Sequence, residues 1–175
     1  MVFCLVLPAQ AAAGIEVLDE GRILPEIKLE NHMEDYQAEY LGIKGKNDFK
    51  VTDVKGNALI IEFFSMYCPH CQREAPIVNK LYEASLNYPE IKMIGIGVGN
   101  SLFEINHFKK TYNIFFPLFP DGDFHIHKDA GEPRTPYFVV IDLRPGRSGM
   151  IIFSQLGGIH EIDDFFKLIE QKIKW

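Results

Sequence analysis

Ala58-Leu59-Ile60-Ile61-Glu62-Phe63-Phe64-Ser65-Met66-Tyr67-Cys68-Pro69-His70-Cys71 is the stretch on which the fold turns. Its first seven residues are apolar or aromatic apart from Glu62, the pattern of a central strand buried on both faces. Asn57 closes a turn after Gly56 just ahead of it. Pro69 then opens a helix that runs to Leu86, with Ala75, Val78, Leu81 and Tyr82 recurring on one apolar face. Pro76, inside that helix, is expected to kink it. The two cysteines therefore stand where a buried strand gives way to a helix.

That placement has chemical consequences. A helix N-terminus presents unpaired N–H groups and a partial positive charge, which favour thiolate over thiol. Cys68 is expected to be the exposed nucleophile. Cys71, one turn further in, is close enough to attack a mixed disulfide and release the substrate. His70 can add a donor or a positive charge beside the Cys68 sulfur. A cysteine pair on a helix can also be half of a metal site, but a zinc ribbon needs a second C-x-x-C and none is present.

Working outward, Glu26 to Leu29 reads as a short strand and Asn31 to Lys50 as a polar loop with an irregular turn of helix. Ile91 to Val98 is a second buried strand. Ser101 caps a helix through Tyr112, with Glu104 completing a capping box. Tyr137 to Ile141 and Met150 to Leu156 are two further strands joined by a turn containing Pro145, Gly146 and Gly149. Gly157 and Gly158 precede a last helix with Ile162, Phe165, Phe166, Ile169 and Ile173 on one face. The order β-α-β-α-β-β-α is that of an α/β protein. Gly95, Gly97 and Gly99 do not complete G-x-G-x-x-G, because Asn100 stands where the last glycine would be; close strand packing explains them better.

The 175 residues suit one domain with a substantial core, and 47% of them are hydrophobic, which excludes a mainly disordered chain. A formal net charge of −6 and no dense Lys/Arg cluster argue against a nucleic-acid partner. Cysteines number only three, Cys4, Cys68 and Cys71, too few for a disulfide scaffold. Residues 1–13 differ from the rest: Met1 to Leu7 is apolar, and the small residues at Ala9, Ala11 and Ala13 fit an A-x-A cleavage rule. They read as the remnant of a truncated export signal, an apolar N-terminal strand being the alternative, with residues 14–25 as an N-terminal lead and residues 26–175 as the domain. The expected compartment is the periplasm or another exported location. Cleavage would carry Cys4 away and leave only the reactive pair. Six apolar residues cannot span a bilayer, so no stable membrane span is expected within the chain as given.

The segment Ile61 to Cys71 resembles the active-site segment of the thioredoxin superfamily. Glu62 stands six residues before the nucleophile, where those proteins keep a buried acid. Pro76 stands five after Cys71, where many of them kink the active-site helix, and Thr135-Pro136 precedes a strand, where they carry a cis-proline. The lead strand at Pro25 to Leu29, the Lys55-Gly56 turn and the insertion before Pro136 are similar to TlpA/ResA-type, AhpC/TSA-related redoxins, whereas Pro69-His70 is similar to the dipeptide of DsbA-type oxidases. The resemblance implies a thioredoxin-like α/β fold, a central mixed sheet flanked by helices, with an N-terminal extension. It also implies a thiol–disulfide oxidoreductase acting on protein thiols and disulfides with a redox partner protein, and no cofactor beyond the Cys68–Cys71 disulfide. The dipeptide argues for an oxidant and the layout with Thr135 for a reductase, so direction stays open.

Glu62 in an apolar strand is costly without a role, and burial should raise its pKa and make it a proton acceptor for Cys71; the alternative is a carboxylate bonded to water or a lysine. Thr135, Pro136, Tyr67 and Pro69 are the expected substrate-binding residues, with Tyr67 and Met66 read as an apolar rim; surface packing is the alternative for those two. His125 and His127 could share one face of a strand, but no third metal ligand accompanies them. Asp121-Gly122-Asp123 reads as a turn. Two other readings stay in view: a peroxiredoxin-like peroxide reductase, weakened by Ile61 where the P-x-x-x-T-x-x-C pattern needs proline, and a non-catalytic binding module, which would have no reason to keep both sulfurs.

Overall fold

The computed structural model describes residues 18–174. The expectations for residues 1–13, Cys4 included, fall outside them. A small antiparallel pair, β1 (Lys28–Glu30) with β2 (Asp48–Lys50), brackets a short helix α1 (Asp35–Tyr40). The main body follows as β3 (Ala58–Phe64), α2 (Pro69–Ser85), β4 (Ile91–Val98), α3 (Leu102–Tyr112), β5 (Leu118–Asp121), α4 (His125–Asp129), β6 (Tyr137–Asp142), β7 (Ile151–Leu156) and α5 (Ile162–Lys174).

Five strands make one mixed sheet in the order β5-β4-β3-β6-β7. β3 runs parallel to β4 and antiparallel to β6, so the strand that leads to the cysteines sits at the centre, where the sheet changes sense. Side chains alternate across a strand. Leu59, Ile61 and Phe63 accordingly join one core cluster, while Ala58, Ile60 and Phe64 join the other, together with Cys71, Ala75, Val78 and Leu81 of α2. Glu62 lies between Ile60 and Phe64 and so shares the α2 side. β4 passes close beneath α3: a Cβ on Gly97 would stand 2.6 Å from Ile105 Cγ2, so the alternating glycines serve packing.

The lead runs along the far edge of the sheet, where Gly21 N–H donates to the Ile151 carbonyl and Ile151 N–H to the Arg22 carbonyl, both at 2.8 Å. α2 continues through Pro76 to Ser85. The turn of helix expected within 31–50 is α1, but β2, β5 and α4 are additions to the sequence reading. β5 is a four-residue edge strand containing Pro120, and α4 has five residues and no side-chain cap, so neither carries a periodic signal. His125 and His127 lie on α4 rather than on a strand. Two residues apart on a helix they point in different directions: His125 pairs with Asp129, and His127 Nε2 meets the Pro133 carbonyl. Asp121 ends β5 and accepts the N–H groups of Ile126 and His127, each at 2.9 Å, which makes the acidic turn structural.

Candidate active site

Cys68 is the N-cap of α2, and its sulfur accepts the N–H of Cys71 at 3.5 Å. Pro69 occupies the first helical position, where its missing N–H costs nothing. From the other side of the sheet centre, the loop before β6 brings the Thr135 carbonyl to 3.4 Å from the Cys68 sulfur, and the Thr135–Pro136 peptide is cis. Burial pushes the Cys68 thiol up, but hydrogen bonds from the Thr135 side chain, from Cys71 and from the backbone N–H of His70 outweigh it, and the group lies below its ordinary value. The contribution of His70 is thus a main-chain one. Its ring faces outward, with Nδ1 at 2.7 Å from the Arg73 guanidinium.

Cys71 is buried, and burial drives its thiol well above the usual range; the nearby Glu62 carboxylate adds to the shift. Glu62 is itself buried, 5% exposed, and is pushed up to about 8, chiefly by desolvation and then by Glu74 and Cys68. The charged groups acting on Glu62 are therefore a second carboxylate and the nucleophile, not a lysine. The pair is asymmetric in the sense thiol exchange needs: an accessible sulfur that ionises readily, and a buried one that keeps its proton until a base takes it.

Glu74 was not anticipated. It reads in the sequence as a surface charge on α2, yet it stands four residues before Val78 and so borders the apolar stripe. Its Oε2 is buried without a hydrogen-bond partner among the described residues, 3.7 Å from His160 Nε2. That oxygen lies against Gly158, 2.1 Å from where a Cβ there would stand, so a side chain at 158 would displace the carboxylate from this position. Glu74 also lines a cavity of about 250 Å³ together with His70, Arg134, Thr135, Pro136 and Leu156. Thr135 therefore borders both the nucleophile and this hollow, and Pro136 borders the hollow. Tyr67 is exposed beside Cys68, its hydroxyl donating to Glu104 Oε1.

A family model described as the AhpC/TSA family matches residues 21–152, about three-quarters of the chain. The chain belongs to the AhpC/TSA family. Among its relatives, the thiol-disulfide oxidoreductase ResA of Halalkalibacterium halodurans is 25% identical over 125 residues, covering 69% of this chain and 67% of that protein. ResA of Bacillus cereus is 26% identical over 140 residues, covering 79% and 78% respectively. The fold is that of the thioredoxin domain of a Bacteroides vulgatus thiol-disulfide oxidoreductase, with a TM-score of 0.65 at 17% identity over 89% of this chain and 99% of that one. The family member described here is thus a TlpA/ResA-type redoxin with a thioredoxin-like α/β fold. No group of three or more His, Cys, Asp or Glu side chains among the described residues is arranged to hold a metal ion, and no helix among them is long and apolar enough to cross a membrane.

Proposed function

We propose that this protein is a thiol–disulfide oxidoreductase exchanging disulfides with protein substrates through Cys68 and Cys71, outside the cytoplasm. The observation that carries the reading is the Cys68 sulfur itself. It sits at the start of α2, held by helix N–H groups, beside the Thr135 carbonyl, with Cys71 buried one turn behind. Relatives that bear the name thiol-disulfide oxidoreductase support it. The apolar start of the sequence supports the compartment.

In the reducing direction the Cys68 thiolate attacks one sulfur of a substrate disulfide, forming a mixed disulfide and expelling the other sulfur as a thiolate. Glu62, in its ionised fraction, takes the Cys71 proton. The Cys71 thiolate then attacks the Cys68 sulfur, closing the Cys68–Cys71 disulfide and releasing the second substrate thiolate. Two electrons pass from the pair to the substrate, and the reverse sequence oxidises a dithiol. Thr135 and Pro136 are the surface along which the substrate backbone lies, and Tyr67 and Pro69 form its rim.

Insulin reduction with dithiothreitol as electron source tests the reading. Wild type is expected to accelerate precipitation of the insulin B chain, Cys68→Ser to abolish the effect, and Cys71→Ser to accumulate a mixed disulfide. Consumption of hydrogen peroxide with no action on insulin would instead support the peroxidase reading, and inactivity toward both would leave a binding module.

A further inference from the structure

Asn100 lies in the turn between β4 and α3, away from both cysteines in sequence, and is fully buried. Its Oδ1 accepts the N–H of Met66 at 2.8 Å. The carbonyl of the same residue accepts Gln72 Nε2 at 2.7 Å, so both backbone groups of Met66 are held by side chains from two different elements. Met66 follows Ser65, whose carbonyl accepts the Cys68 N–H at 3.0 Å and whose own N–H faces the Cys71 sulfur. The loop that Asn100 grips therefore touches both members of the pair.

The cost of Asn100 points the same way. Its Nδ2 is buried with no acceptor among the described residues, a loss that a leucine of similar size would avoid. Its own backbone is fixed, N–H to the Gly97 carbonyl at 3.0 Å and carbonyl to Asp121 N–H at 3.2 Å. A Cβ on Gly97 would stand 3.2 Å from Asn100 Cβ and 3.3 Å from Oδ1, so the side chain lies packed directly over Gly97. A rigid mount that keeps a poorly satisfied amide makes sense as a means of holding a neighbour rather than as a source of stability.

We infer that Asn100 is a positioning residue for the redox pair: by fixing the Met66 peptide it sets the Ser65–Cys68 loop, and with it the aim of helix N–H groups at the Cys68 sulfur. Gln72 completes the grip from α2. The inference rests on the redox reading of the pair, but its effect is seen in the thiol itself, before any substrate is present. The groups facing that sulfur are the side chain and carbonyl of Thr135, the thiol and N–H of Cys71 and the N–H of His70, with Glu62 and Glu74 behind.

The test is the pH profile of iodoacetamide labelling of Cys68 in the fully reduced protein, for wild type, Asn100→Leu and Gln72→Met. Asn100→Leu is expected to raise the midpoint by about half to one pH unit, which is about three- to tenfold slower labelling at neutral pH. Gln72→Met should move it in the same direction by less. A folded Asn100→Leu with a wild-type midpoint overturns the inference, whatever its melting temperature. Should Asn100→Leu not fold, Gln72→Met decides: a raised midpoint supports the grip on Met66 and an unchanged one overturns it. Failure of the redox reading would look different, as wild type inactive on insulin with the midpoint shifts intact.

Discussion

Glu62 and His70 exchange some of the weight that their positions in the sequence suggest. His70 stands between the cysteines, yet what it gives the Cys68 sulfur is its backbone N–H, while its ring meets Arg73. His70→Ala keeps that N–H. Its labelling midpoint for Cys68 is therefore expected to stay within about 0.3 unit of wild type by iodoacetamide titration. Glu62 carries the larger burden. Only its ionised form can take the Cys71 proton, and its pKa of about 8 makes that form scarce at neutral pH. Resolution of the mixed disulfide should accordingly quicken as pH rises toward 8. Glu62→Gln should remove that rise and slow the step by about tenfold or more, with formation of the mixed disulfide much less affected. Stopped-flow traces that separate the two steps would show it; both steps unchanged would make Glu62 structural.

At the scale of elements, α3 is tied to the active-site loop through its first turn. Ser101 Oγ accepts the Glu104 N–H at 3.4 Å, and the Glu104 carboxylate accepts both the N–H and the hydroxyl of Ser101 and, on its other oxygen, the Tyr67 hydroxyl. Ser101→Ala is expected to cost about 1 kcal/mol in urea denaturation. The capping box was readable in advance because it is a local pattern of four residues. So were β3, β4 and the long helices, whose periodicity is strong, and the cysteine pair, whose spacing is its own signal. The Thr135–Pro136 cis bond was expected from resemblance and is present. β5, α4 and the inward turn of Glu74 were not readable, since short edge elements have no period and a glutamate on a helix looks the same whether it faces water or another carboxylate. The grip of Asn100 on Met66 joins residues 34 apart, a tertiary contact with no local signature.

At the scale of the whole molecule, burial of Glu62 sets a pH dependence of stability. An unfolded chain releases that proton near 4.5, whereas the folded chain holds it to about 8. Between those values the native state binds more protons, so stability contributed by this group is full below about 4.5 and is lost as pH rises through about 8. Glu62→Gln lacks that loss. The reduced variant should gain on wild type across this window, by an amount of order 3–5 kcal/mol at the upper end, measured by urea denaturation at pH 5, 6.5 and 8. A constant difference across that range would contradict it. The placement of β3 beside β6 has a consequence for experiment as well. Those two central strands close a gap of 67 residues to bring the Thr135 carbonyl to the Cys68 sulfur, and they do so only when the sheet is assembled. The reactive thiol is therefore a gauge of the sheet's integrity. Its labelling rate, followed through a denaturant titration, should revert to that of an ordinary cysteine in step with the loss of tertiary structure, so the chain carries its own folding probe without an added dye.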